Sequence, residues 1–350
     1  MKPHTESRIY FTEKDIYDAL MSSKRTMTIS LLLDLARDKG ILLSSEDSRE
    51  DIIKYLSSLV YDYYDLNVLI DHITPSHKKE KSKVTKINTE IDISQLKTIS
   101  KDINDGNTTI QVTSDPDNPD KAVLEIEYDE LDFSKTRLRQ KIRRKSTIEI
   151  TKDNGTSIIS KPSNDKVDDI MQSILSGIEQ KTDNRISEDK INLYGWSHQE
   201  KIEYFTNLIK SIDNCKLLDV VKVSVNHEDN PEAEEDVLNM ITNASFKGKG
   251  LLATPEYQKL KEDGYSITSI IWKSEELKKN GDHIEFEAGL SLTKKSEEVV
   301  FSAKGAYRFV EKDKHTTTRR PLTREESEKY TKNLETSAFK VFNDIKTREE

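Results

Sequence analysis

Between Lys135 and Lys145, seven of eleven residues are cationic (Lys135, Arg137, Arg139, Lys141, Arg143, Arg144 and Lys145) and none is acidic. Read as a strand, with side chains alternating between faces, the segment places all of these except Arg144 on one side, opposite Thr136, Leu138, Gln140 and Ile142. Such a row can neutralise successive phosphates, in a contact that weakens as salt rises. The segment just before it offers another outcome. Glu125, Glu127, Asp129, Glu130 and Asp132 could take the same cations as cross-strand partners or meet them in a subunit contact.

A second constellation is the pair Glu285 and Glu287, alternating on one strand with Lys304 on the next. A nuclease of the restriction type needs an acid and a Glu-x-Lys triplet gathered around a metal, and this trio approaches that pattern. Paired carboxylates on a strand also serve simply to solvate it. The triplet Glu188-Asp189-Lys190 has the letters but falls in a polar connector. Phosphate-binding loops of the G-x-x-x-x-G-K-[ST] and G-x-G-x-x-G types are absent, as is the G-x-S-x-G elbow, so neither nucleotide chemistry nor serine hydrolysis is supported. His72 and His77 straddle Pro75 at a spacing that suits no metal pair. Asp115, Asp117 and Asp120 read as turn chemistry, since no downstream bidentate glutamate completes a calcium loop. Trp272, Tyr307 and Phe309 could stack bases, but in strands they read first as core. No catalytic residue, metal site or cofactor is expected.

Composition sets the limits. Of 350 residues 34% are apolar and 34% charged, the formal net charge is −9, and glycine and proline number only 11 and 8. A globally basic nucleic-acid coat is excluded, so any polyanion contact must be a local patch. Cys215 is the single cysteine, which excludes an intrachain disulfide and Cys-based zinc sites. The first twelve residues lack the apolar stretch of a secretory signal. The densest apolar run, Ile29 to Ala36, is far shorter than the ~20 residues that span a bilayer. The chain reads as cytoplasmic, with no membrane partner.

The elements that must position these groups follow from periodicity. Residues 10–74 repeat apolar positions at three and four: Ile16 and Leu20; Ile29, Leu32, Leu33 and Ala36; then Ile52, Ile53, Leu56, Leu59, Val60 and Tyr63. Gly40 after Lys39 marks a helix end, and Ser45 or Asp47 is placed to cap the next helix. The run His77 to Lys83 reads as a linker. Two hairpins follow, 109–113 with 122–128 and 147–151 with 157–160, the second around Asn154-Gly155. Helices are expected at 165–180, 197–212, 232–244, 255–262 and 324–345. Strands are expected at 217–225 and, as an antiparallel meander, at 265–272, 283–292 and 299–310. The fold class is α+β: a small N-terminal helical module (1–75), a charged linker with a short helix (76–107), and a body of mixed antiparallel sheet and helix (108–190 and 191–350).

The stretch Met27-Thr28-Ile29-Ser30-Leu31-Leu32-Leu33-Asp34-Leu35-Ala36-Arg37-Asp38-Lys39-Gly40-Ile41, followed by Ser45-Glu46-Asp47-Ser48-Arg49-Glu50-Asp51-Ile52-Ile53-Lys54-Tyr55-Leu56, resembles the SAP/HeH family of helix-extended-loop-helix modules. The resemblance implies duplex-DNA binding through basic and polar residues around the second helix. Glu46, Asp47, Glu50 and Asp51 leave Arg49 and Lys54 as the positive groups there, with Lys24 and Arg25 ahead of the first helix. A plain helical bundle or partner-docking module fits the same pattern. The leading expectation is a non-enzymatic, nucleic-acid-associated subunit of a larger assembly, in genome maintenance or phage defence, binding DNA before RNA and docking protein partners. The alternatives are a protein–protein scaffold without nucleic-acid contact and a metal-dependent hydrolase.

Overall fold

Capping side chains set the start of each N-terminal helix. Thr12 and Asp15 form a reciprocal capping box on α1 (Glu13–Ser22), and Thr28 caps α2 (Ile29–Asp38). Gly40, at φ +75°, turns the chain out of α2, and the Ile41 N–H returns to the Ala36 carbonyl at 2.9 Å. α3 (Arg49–Ser57) is capped by Ser48 rather than by Ser45 or Asp47, because the Ser48 hydroxyl accepts the Asp51 N–H while donating to the Asp51 carboxylate. α4 (Tyr63–Ile73) begins where the Asp65 N–H meets the Asp62 carboxylate at 2.8 Å. Ile16, Leu20, Met27, Leu32, Ala36, Ile52, Ile53, Leu56, Leu69 and Ile73 close into one core, the face that the three-and-four spacing marks.

The computed structural model describes residues 11–73, 80–105, 107–115, 118–227, 243–293, 296–311 and 314–348. The chain divides into two compact units. The first comprises Met1–Lys79, Asn104–Ile110 and Glu125–Ser146; the second comprises Glu80–Ile103, Gln111–Leu124 and Thr147–Glu350. Strands β1 (Ser82–Ile87), β2 (Thr108–Ser114), β3 (Lys121–Leu131), β4 (Lys141–Asp153), β5 (Thr156–Pro162), β6 (Glu188–Lys190), β7 (Cys215–Asn226), β8 (Asn243–Lys247), β9 (Ser266–Glu276), β10 (His283–Thr293) and β11 (Ser296–Tyr307) hydrogen-bond in the order β2-β3-β4-β5-β1-β11-β10-β9-β7-β8, with β6 on β1. The end of β3 from Glu125 and the start of β4 up to Ser146 belong to the first unit.

β1 falls where a linker is expected. It pairs antiparallel with β5 and with β11, so the segments 108–190 and 191–350 contribute to one sheet. Its lysines hide the strand from a polarity reading, yet the sheet accepts Lys83 because Asp168 and Glu298 neutralise it at 2.5 and 3.1 Å. The Asn154-Gly155 hairpin forms as the dipeptide dictates, with φ of +46° and +84°. β9, β10 and β11 are the expected antiparallel meander. The helix expected at 232–244 lies largely outside the described residues, and Ala244 sits in β8. His77, Pro75 and Asp117 are outside them as well.

The second unit also holds α5 (Ile93–Ile103), α6 (Asp165–Thr182), α7 (His198–Leu208), α8 (Pro255–Glu262), a small hairpin of β12 (Phe309–Glu311) and β13 (Lys314–His315), and α9 (Arg324–Lys346). Its core is built by α7 and α9 against β7, β9, β10 and β11, around Tyr204, Phe205, Trp272, Phe286, Phe301 and Phe342. The fold is α+β. No helix among the described residues is long and apolar enough to cross a membrane.

Candidate interaction surfaces

The basic segment lies in the first unit and is half turn, half strand. Arg137–Arg139 form a 3-10 turn, and Leu138 inserts into the core of the N-terminal helices. This breaks the alternation expected across 135–145. Only Lys141, Arg143 and Lys145 share an exposed strand face, with Ile142 and Arg144 half-buried behind them.

Acidic side chains within the same unit take up most of the positive charge. Lys141 meets Asp129 at 3.0 Å, Arg143 and Lys145 both reach Glu127 at 3.1 and 2.6 Å, and Arg144 pairs with Glu130. Lys135 lies 3.6 Å from Asp132, and Arg137 crosses to Asp15 on α1 at the same distance. Hydrogen bonds from Lys145 and Arg143 hold the Glu127 carboxyl below its ordinary range. Each exposed pair contributes little to stability, because water and salt screen it. Together they offset much of the positive charge of the segment.

The other cations divide in two groups. Arg49 is turned inward, its guanidinium donating to the Leu20 carbonyl at 2.8 Å and the Met27 carbonyl at 3.3 Å, so it ties α3 to the end of α1 rather than facing a ligand. Lys24, Arg25 and Lys54 are exposed and Arg139 is half-buried; among the described residues these four carry no ion pair.

The feature missed by periodicity is apolar. Val60 and Tyr63, expected on the inward helical face, are 90% and 74% exposed, because α3 ends at Ser57 and the three-and-four spacing lapses beyond it. Tyr64 is 77% exposed and stands edge-on to Tyr63, while Val68 continues the same stripe one turn along α4. Phe133 and Leu131 stand out at the end of β3. Of fourteen large apolar side chains exposed among the described residues, nine belong to the first unit, the smaller of the two.

In the second unit Glu285 and Glu287 do project together from β10, but each has its own cations. Glu287 receives Lys81 at 2.8 Å and Lys304 at 2.6 Å. Glu285 receives Arg319 and the Tyr307 hydroxyl, the latter at 2.9 Å. Lys304 is the extra residue of a bulge in β11, which places its ammonium on Glu287. Burial works to raise the Glu287 carboxyl, yet Lys304 and Lys81 hold it below its ordinary value. A carboxylate already bonded to two ammonium groups has little charge left for a cation, and no cluster of three or more metal-ligating side chains occurs among the described residues.

Trp272 is fully buried and cannot stack on a base; Tyr307 carries the Lys273 ammonium over its ring at 3.8 Å. Cys215 is half-buried, and burial together with Glu276 pushes its thiol up to about 11, so it stays protonated at neutral pH. His283 and His315 stack with centroids 3.4 Å apart, a pair that sequence distance concealed. Burial first and His315 second lower the value of His283.

No protein-family model and no curated protein matches the chain. Among solved structures it shows a distant likeness to the di-domain ARO/CYC StfQ from the steffimycin biosynthetic pathway, at 11% identity and a TM-score of 0.18, over 77% of this chain and 98% of that one. A second is the di-domain ARO/CYC BexL from the BE-7585A biosynthetic pathway, at 8% identity and a TM-score of 0.17, over 77% and 97%. Likeness at this level carries no argument about fold or activity.

Proposed function

We propose that this chain is a non-enzymatic, cytoplasmic docking subunit whose first unit binds a protein partner. The observation that carries this reading is the concentration of exposed apolar side chains on that unit, above all Val60, Tyr63, Tyr64 and Val68, in a unit whose basic segment has most of its charge met internally. Residues 11–73 hold twelve acids against seven lysines and arginines. The partner that fits is an apolar segment carrying Lys or Arg. Tyr63→Ser/Tyr64→Ser/Val68→Ser should leave the circular dichroism spectrum unchanged and reduce partner retention at least tenfold in an affinity pull-down. Equal retention by the variant, or nothing retained by the wild type, overturns the reading.

A second reading, nucleic-acid contact with DNA favoured over RNA, draws on Lys24, Arg25, Lys54 and Arg139, four candidate cations that carry no ion pair among the described residues, and on Phe133, 78% exposed beside the basic turn. The SAP/HeH-like arrangement of α2, the extended connection and α3 supports it; Glu50 and Asp51 in the first turn of α3 oppose it. Labelled duplex and single-stranded DNA should then bind with an affinity that falls with salt, by a log–log slope of about −0.9 per phosphate neutralised on duplex. Lys24→Ala/Arg25→Ala/Arg139→Ala should flatten that slope. Salt-independent binding, or binding unchanged in the variant, removes this reading and leaves the first intact.

A further inference from the structure

α9 buries a stripe of Tyr330, Leu334, Ala338, Val341, Phe342 and Ile345 in the core of the second unit, and set into that buried surface is a carboxyl group, Glu335, at 7% exposure. Its Oε1 accepts a hydrogen bond from the Ser160 hydroxyl of β5 at 2.6 Å. Two other buried acids have cations: Glu276 holds Lys329 and Lys278, and Glu285 holds Arg319. Glu335 has none within ion-pair distance among the described residues.

The groups around it give no compensation. From β1 comes the Ser82 hydroxyl and from β5 that of Ser160, both neutral. From β4 comes Glu149, a second carboxylate, itself held by Lys121 at 3.0 Å. Lys332, on α9 itself, is exposed. On α7 and β11, which also pack against α9, Lys201 and Glu297 close on each other at 2.8 Å, and Glu298 closes on Lys83. A carboxylate in this position would be a buried, unpaired charge, which proteins avoid by keeping the proton.

We propose that seating of α9 on the sheet is proton-linked: Glu335 is buried as the neutral acid, and its ionisation loosens the joint between α9 and β5. The inference is independent of what docks on the first unit. Burial, reinforced by Glu149, pushes the carboxyl up to about 7 from its ordinary 4.5. The sign follows from linkage. Below the ordinary value both folded and unfolded chains hold the proton and the folded state bears no penalty; between 4.5 and 7 the unfolded chain alone ionises, so stability falls, and above 7 the loss levels off. The full loss is on the order of a hundredfold in the equilibrium constant for seating.

Amide hydrogen exchange along α9, corrected for intrinsic rates and compared at pH 5.5 and 8.5, tests this on the full chain. The wild type should lose protection by roughly thirtyfold between the two, the first tenfold of the loss having occurred below pH 5.5, and Glu335→Gln should be equally protected at both. An identical pH dependence in the variant overturns the proposal. Should Glu335→Gln fail to fold, the infrared carboxyl stretch of the glutamate-labelled wild type decides: a protonated band persisting at pH 6 supports the proposal, and complete ionisation at that pH overturns it.

Discussion

Lys201→Met should destabilise the second unit by about 3–5 kcal/mol, the cost of leaving one member of a buried ion pair without its partner. Lys201 projects from the first turns of α7 and is 2% exposed, its ammonium 2.8 Å from Glu297 of β11. Methionine fills most of the same volume, so packing is nearly conserved and the loss is electrostatic. The thermal midpoint of this unit should fall by roughly 10 °C, at about 2–4 °C per kcal/mol for a unit of this size. Adding Glu297→Gln should recover most of that fall, because the uncompensated charge disappears with it. A single variant melting within about 2 °C of the wild type would show that water reaches the pair and that Glu297 is solvated without Lys201.

Leu138→Ala should cost the first unit about 2–5 kcal/mol, the range for truncating a buried leucine. Leu138 is the apolar residue of the turn Arg137–Arg139 and sits among Ile16, Leu20, Ile53, Leu56, Leu69 and Ile73. It anchors the first half of the basic segment. Its truncation should therefore expose the peptide bonds after Arg137 and Arg139 to trypsin, with cleavage there accelerating at least thirtyfold if local opening is cheapened by about 2 kcal/mol. The melting transition of the second unit should not move. Cleavage at the wild-type rate would mean that the ion pairs to Asp15 and Asp132, rather than Leu138, hold the turn.

These two side chains show why a periodic reading goes only part of the way. Lys201 occupies the inward face of α7 together with Phe205 and Leu208, and a residue-type scale assigns it to solvent; only the glutamate brought opposite by β11 makes its burial possible. Leu138 stands alone among arginines and lysines, and the helices that enclose it are remote in sequence. The same holds for β1, whose lysines look like linker until Asp168 and Glu298 are placed beside Lys83. Glu285, Glu287 and Lys304 resemble part of a metal site until Lys81 and Arg319 arrive from two other segments and Lys304 itself bonds Glu287.

What the amino-acid sequence by itself determined were the local elements: the capped helices of the N-terminal module, the Asn154-Gly155 hairpin, the three-stranded meander and the long closing helix, α+β in sum. Caps, glycine turns and apolar spacing act within one or two turns of chain, so the information is contiguous. Tertiary structure alone decided which charges of the candidate surfaces are paired. Whether a lysine faces a phosphate, a carboxylate or a carbonyl depends on which distant segment lies within about 4 Å of it, where Coulombic attraction and hydrogen bonding are strongest. By that criterion the basic segment spends most of its charge on β3 and α1, Arg49 spends its own on helix carbonyls, and the aromatic side chains of α4 stay exposed.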